Sequence, residues 1–240
     1  MSNPYQSPGF QPPSYAPHVD GGSLDAALNG EYDFDLNEVL AEAWAKTDGA
    51  KSAFFGAFVA IFIVSLVAGL VRGLLIGNDQ SSQFLGTLLL LPIVGPMYMG
   101  VFMMGVRRAA DMPILASDVF RYLSPYNLQI VIAQVMIYVL TMLGFILLVL
   151  PGIYAMVSYI FAAPLVADKG LAPWDALETS RKSLGHHWWK LFGFVMALGF
   201  IVLLSCIPLL IGLIWTVPMT AIAMGIVYRK IFGFTLDPGL

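Results

Sequence analysis

Run length, rather than alternation, is the signal in this chain's hydrophobic pattern. Long uncharged stretches begin at Ala53 and recur to Phe232, separated by short polar segments. A bilayer core about 30 Å thick is crossed by roughly 20 helical residues. Six segments meet that length, near 53–77, 83–106, 128–149, 151–167, 189–209 and 211–230. The fourth is the shortest, with about 15 apolar residues between Pro151 and Asp168. A re-entrant loop is its competing reading.

Composition supports the same class. The 240 residues are 58% hydrophobic and 11% charged, too apolar for a soluble globule. Charge placement then tests the count. With six crossings both termini share a side, and the Lys and Arg residues split unevenly. Lys46, Lys51, Arg107, Arg108, Arg121, Lys169, Arg181, Lys182, Lys190, Arg229 and Lys230 fall on the terminus side, leaving only Arg72 toward the other face. By the positive-inside rule the terminus side is cytoplasmic. Removing the fourth span would scatter these cations over both faces. The fold class predicted is all-α: a polytopic helical protein of the cytoplasmic (inner) membrane, with both termini cytoplasmic.

The first 35 residues are a different material. They hold five prolines within residues 1–20 and no apolar run, so they are not a signal peptide and are expected to be disordered. Residues 1–45 carry seven carboxylates and no Lys or Arg, which excludes a polybasic lipid anchor. The domain division expected is a Pro-rich acidic cytoplasmic tail over 1–35 and a six-helix transmembrane domain over 36–240. The tetrad Pro12 to Tyr15 resembles a WW-domain ligand, although such tetrads also arise from composition in Pro/Tyr-rich tails. The tail is therefore the expected site of any protein partner.

Internal similarity organises the rest. LNEVLAEAWAKTDGAKSAFFG (36–56) and PWDALETSRKSLGHHWWKLFG (173–193) both begin with an acid-containing amphipathic turn, pass through cations and enter a span at an aromatic-aliphatic-Gly step. Val39 matches Ala176, and a shorter third copy from Ser117 puts Val119 in that role. Each copy precedes two spans, the second of which carries proline near its start, at Pro92, Pro151 and Pro218. The reading is three parallel repeats, each an interfacial helix plus a transmembrane hairpin.

Candidate chemistry concentrates in 173–193. Trp174, Leu177, Leu184 and Trp188 fall at helical spacing, with Glu178 and Lys182 four apart on the polar side. This describes a helix in the membrane interface, tryptophans at headgroup depth. Neighbouring His186 and His187 point about 100° apart on a helix and are unsuited to one metal. The interfacial or partner-facing candidates are Trp44, Asp175, Arg181, Lys182, His186, His187 and Trp188. No cofactor, metal, nucleic acid or catalytic group is expected. The spans carry no Asp, Glu, Lys or His at mid-depth, which counts against ion-coupled transport. A single cysteine, Cys206, excludes an intrachain disulfide. Ser65, Gly69, Gly73 and Gly77 place a small residue at every fourth position of the first span, an expected helix-packing seam either within the chain or with another helix.

Residues 150–195 also resemble a group of bacterial six-span membrane proteins of unknown function. The group includes the YciC-like inner-membrane proteins and the membrane domain of some glycerophosphoryl diester phosphodiesterases. The resemblance rests on Leu150, Pro151, Gly152, Ala163, Pro164, Leu165, Asp175, Ala176, Leu177, Ser180 and Trp188. It implies the six-span fold and no particular activity, since the phosphodiesterase domain has no counterpart here. Three functions compete. The first is a non-catalytic module organising a protein partner or membrane lipids. The second is a passive transporter or lipid carrier between hairpins, lined by Gln134, Ser158 and Thr220. The third is an interfacial enzyme built on His186, His187 and Asp175.

Overall fold

The computed structural model describes residues 21–75, 80–123, 128–207 and 210–234, with only the backbone for 75 and 80–89. Every regular element among them is helical: α1 (Leu24–Asn29), α2 (Leu36–Thr47), α3 (Lys51–Leu75), α4 (Gln80–Ala109), a 3-10 turn (Ala116–Phe120), α5 (Leu128–Leu147), α6 (Val149–Ser158), α7 (Ala162–Lys169), α8 (Pro173–Gly185), α9 (Trp188–Cys206) and α10 (Leu213–Phe232).

Among the described residues, five segments are long and apolar enough to cross a membrane: Lys51–Leu74, Leu90–Ala109, Leu128–Leu147, Val149–Lys169 and Trp188–Cys206. These are the helices of a multi-pass membrane protein. The sixth expected segment forms α10, which has 20 residues but falls short of the others in apolarity. The shortfall comes from Arg229 and Lys230 at its end. Ile222, Ala223, Ile226, Val227, Tyr228 and Ile231 are fully buried among other helices, so α10 presents less surface that must match hydrocarbon. By contrast α3 is buried at Phe54, Ala57 and Ile61 but exposes Phe62, Leu66, Leu70 and Leu74.

The fourth segment is two helices. α6 ends at Ser158 and α7 starts at Ala162. Pro164 has no N–H for the carbonyl of Ile160 and its ring crowds that carbonyl, so the break falls just ahead of it. Ala162 N–H donates to the Tyr159 carbonyl, and the freed Ser158 carbonyl accepts the Ser180 hydroxyl of α8 at 2.7 Å. The break thus ties the fourth segment to α8.

Helices enter and leave by local chemistry. Asp35 caps α2, its carboxylate accepting from the N–H groups of Asn37 and Glu38 at 2.8 and 3.0 Å. Pro173 opens α8 at a position where no N–H is needed. Leu148 alone separates α5 from α6, a turn this tight because Gly144 and Gly152 touch: a Cβ on Gly144 would lie 2.9 Å from the Gly152 Cα. The Pro151–Gly152 pair is therefore a hairpin corner.

Two features differ from the sequence reading. Residues 21–35 are folded: α1 is capped by Ser23 and ended by Gly30 at φ 75°, and Tyr32 and Phe34 are buried. The prolines that argued for disorder stop at Pro17, and the apolar Leu24, Ala27, Tyr32 and Phe34 find a surface to cover. The Pro12–Tyr15 tetrad lies outside the described residues. The second difference concerns the small-residue row. A Cβ on Gly69 would meet nothing within 4 Å among the described residues, so Gly69 makes no close seam with them, and Gly77 lies outside the described residues. The close crossing occurs between α4 and α10, where a Cβ on Gly225 would lie 2.5 Å from the Gly105 carbonyl. Only glycine lets two backbones meet this closely.

Candidate functional site

The C-terminal ends of α4, α7 and α10 gather with α2, the 3-10 turn and α8 into one charged face. α4 packs on the 3-10 turn, α7 on α8, and α10 on α2. Arg107 of α4 pairs with Asp118 at 3.4 Å, and Arg229 of α10 donates to Glu42 of α2 at 2.9 Å. Helix ends also cap one another. Lys46 and Arg229 both donate to the Ala109 carbonyl, at 2.7 and 2.6 Å, while Arg108 donates to the carbonyls of Lys46 and Asp48 at 2.9 and 2.7 Å. Cations on the last carbonyls of α4 and α2 complement the negative end of each helix dipole.

Inside this face the side chain of Asp168 is fully buried, accepting a hydrogen bond from the Tyr228 hydroxyl at 2.8 Å and lying 3.2 Å from Lys169. Phe102, Phe161 and Tyr228 meet beneath it, one ring each from α4, the α6–α7 break and α10, with centroids 5.6 to 6.1 Å apart. These rings fill the centre between the three helices. Tyr122, beside the same carboxylate, has its phenol pKa raised by burial.

The sequence-predicted candidates separate into two groups. Trp44, Asp175 and Lys182 are exposed on the charged face or its rim, as are Trp174 of the expected helix face and Trp189, which the sequence reading did not single out. Arg181 and Lys182 are not a free cationic patch, because both engage Glu178, Arg181 through two hydrogen bonds at 2.9 and 2.8 Å. That bidentate pair holds the Glu178 carboxyl at about 2.

His186, His187 and Trp188 engage other parts of the chain, with His186 still exposed, for a reason the periodicity hid. α8 ends at Gly185 and α9 begins at Trp188, so the two histidines form the elbow between helices. Trp174 and Trp188 therefore sit on different helices, not on one continuous face. Trp188 stacks on Phe192 at 5.2 Å and on Tyr154 at 5.9 Å.

The elbow receives the N-terminal segment. His186 Nε2 reaches the Leu28 carbonyl at 3.0 Å and His187 Nε2 the Gly30 carbonyl at 3.2 Å, so each ring donates through Nε2. Tyr32 packs edge-on against His187 and donates its hydroxyl to the Ser183 carbonyl at 2.8 Å. Burial pushes that phenol up to about 12. Lys190 pairs with Asp33 and lies over the Phe34 ring. The lysine's hydrogen bond lowers the Asp33 carboxyl from its usual value. At its start the segment bonds α10, Gly22 N–H donating to the Arg229 carbonyl at 3.1 Å. Residues 22–35 are a strap joining the α8–α9 elbow to the end of α10.

Sequence reasoning missed the strap and the buried Asp168. The strap had a signal: Ser23 before LDAALN and Gly30 after it is a capped helix, and Tyr32 and Phe34 alternate with acids. Asp168 had none, because a carboxylate beside a lysine at a span end reads as solvated.

Two of the three polar residues expected to line a path bond to backbone carbonyls. Gln134 donates to the Gly95 carbonyl across α5 and α4 at 2.9 Å, and Thr220 donates to Val217 within α10 at 2.9 Å. Ser158 is buried, its hydroxyl without a partner among the described residues. No group of three His, Cys, Asp or Glu side chains among the described residues is placed to hold a metal. No family model, curated protein or solved structure matches the chain.

Proposed function

We propose that the chain is a six-span inner-membrane protein made of three parallel repeats, non-catalytic, with its charged face in the cytoplasm as a platform that organises a protein partner or lipids. The observation that carries this reading is the chained packing on the charged face. The second spanning helix of each hairpin holds the interfacial element of the next: α4 the 3-10 turn, α7 α8, and α10 α2. The last contact returns to the first unit, so the chain of units closes.

Burial supports the repeats. Val39 and Ala176, Ala43 and Ser180, Thr47 and Leu184, Phe54 and Leu191, Ala57 and Phe194, and Ile61 and Leu198 are all buried, each pair 137 residues apart (176 − 39). α2 and α8 start at the same offset (173 − 36), as do α3 and α9 (188 − 51). In α4 and α10 the offset is 122: Pro96–Met97 and Arg107 correspond to Pro218–Met219 and Arg229 (229 − 107). A cytoplasmic charged face agrees with the positive-inside rule. The aromatic filling between α4, α7 and α10 counts against a transport path there.

Native mass spectrometry of the protein gently extracted from its membrane, with and without residues 2–20, tests the platform. The deletion spares the strap, which removal of residues 1–35 would destroy. A stoichiometric protein partner lost on deletion is the expected result. A bound amphiphile that survives the deletion, with no protein partner, overturns the partner-organising reading and points to carriage between hairpins.

A further inference from the structure

The three hairpins are unequal. From the start of the first spanning helix to the closing cation is 56 residues in the first (Lys51 to Arg107) and 41 in both the second (Leu128 to Lys169) and the third (Trp188 to Arg229). The 15 residues of difference, shared by two helices at about 1.5 Å per residue, add roughly 11 Å of reach to the first hairpin. The extra length also carries the polarity. Arg72, Asn78, Asp79, Gln80, Ser81, Ser82 and Gln83 belong to the first hairpin. No Asp, Glu, Lys, Arg or His occurs between Arg121 and Asp168 or between Lys190 and Arg229.

The tips of the short hairpins are apolar and uncovered. Ile146, Leu147, Leu148, Val149 and Leu150 expose 63 to 78% of their surface, and Ile207, Leu210 and Ile211 expose 55 to 77%. In water such tips would form an unshielded apolar patch. α9, with 19 residues, is about 28 Å long and ends short of a hydrocarbon core of about 30 Å. Arg72, 21 residues beyond Lys51, reaches past that boundary at about 32 Å.

We infer that only the first hairpin emerges on the far side of the membrane, and that the tips marked by Ile146–Leu150 and by Ile207, Leu210 and Ile211 stay buried among the acyl chains of the far leaflet. The inference rests on the six-span reading. It makes the protein asymmetric in depth, with a broad charged face at one surface and a single polar tip at the other.

Single cysteines introduced by Asn78→Cys, Leu148→Cys and Ile211→Cys in a Cys206→Ser background test this in intact membranes. A membrane-impermeant maleimide is added from the far side, and in parallel a bimane label is quenched by acyl-chain nitroxide lipids. Asn78→Cys is expected to react, while Leu148→Cys and Ile211→Cys react only after detergent extraction and are strongly quenched by the nitroxide lipids. Far-side reaction of Leu148→Cys or Ile211→Cys alongside Asn78→Cys overturns the inference and leaves six spans standing. Failure of Asn78→Cys to react from the far side, with reaction from the other, overturns the six-span reading and this inference with it.

Discussion

Arg229 and Glu42, 187 positions apart, meet at 2.9 Å, and the same guanidinium donates to the Ala109 carbonyl at 2.6 Å. One side chain at the end of α10 thus ties down both α2 and the end of α4. Removing it leaves the Ala109 carbonyl and the Glu42 carboxylate to Lys46 alone, at 2.7 and 3.3 Å, in a largely shielded place. Arg229→Gln should cost about 2 kcal/mol. Glu42→Gln keeps an acceptor for Arg229 and should cost less. Thermal unfolding in mild detergent checks this order; equal losses would count against the double role.

The strap depends on two ring donors. His186→Ala and His187→Ala should each weaken its docking by about 1 kcal/mol. His187→Ala should be the worse of the two because the Tyr32 ring loses its partner as well. Limited proteolysis within residues 22–35 reads the effect, with insertion of the spans unchanged. His186→Gln with His187→Gln also tests the enzyme reading, which predicts loss of a cellular phenotype even where the strap stays protected.

Gly30 serves twice, at φ 75° and with the His186 ring 2.7 Å from where a Cβ would stand. Gly30→Ala should therefore release the strap at a cost of about 1–3 kcal/mol, more than either histidine variant. Protease sensitivity of residues 22–35 above that of His186→Ala is the expected measurement.

Acid should loosen the strap late. The Lys190 hydrogen bond lowers the Asp33 pKa, so Asp33 favours docking above its unfolded pKa, and that contribution is lost as pH falls through the lower folded value. An imidazole bonded to a carbonyl through Nε2 donates in either protonation state. Protection of residues 22–35 should therefore hold from pH 8 to about 5 and fail only below the ordinary carboxylate range. Release near pH 6 would contradict the assigned bonds.

Backbone proximity gives a contrast between glycines. Gly105→Leu and Gly225→Leu push side chains into an opposing backbone that cannot step aside, and each should cost about 3 kcal/mol or abolish folding. Gly69→Leu should change stability by no more than about 0.5 kcal/mol. Detergent-phase melting of the three variants checks this. Loss of an oligomer on Gly69→Leu would assign the Ser65–Gly73 row to a contact between copies.

The sequence by itself determined the helical class and where the five long apolar helices run, because bilayer thickness demands long uncharged runs. It also held the strap, in the Ser23 and Gly30 caps, although the prolines before it suggested otherwise. Only the tertiary structure decided where small residues form a seam. Spacing places Gly69 and Gly225 on helix faces alike, but which face meets a neighbour depends on the packing of every other helix. The docking of the strap on His186 and His187 was hidden for the same reason. A helical period read across Gly185 assumes that the helix continues, and it ends there because the elbow gains its hydrogen bonds from Leu28 and Gly30, some 157 residues away.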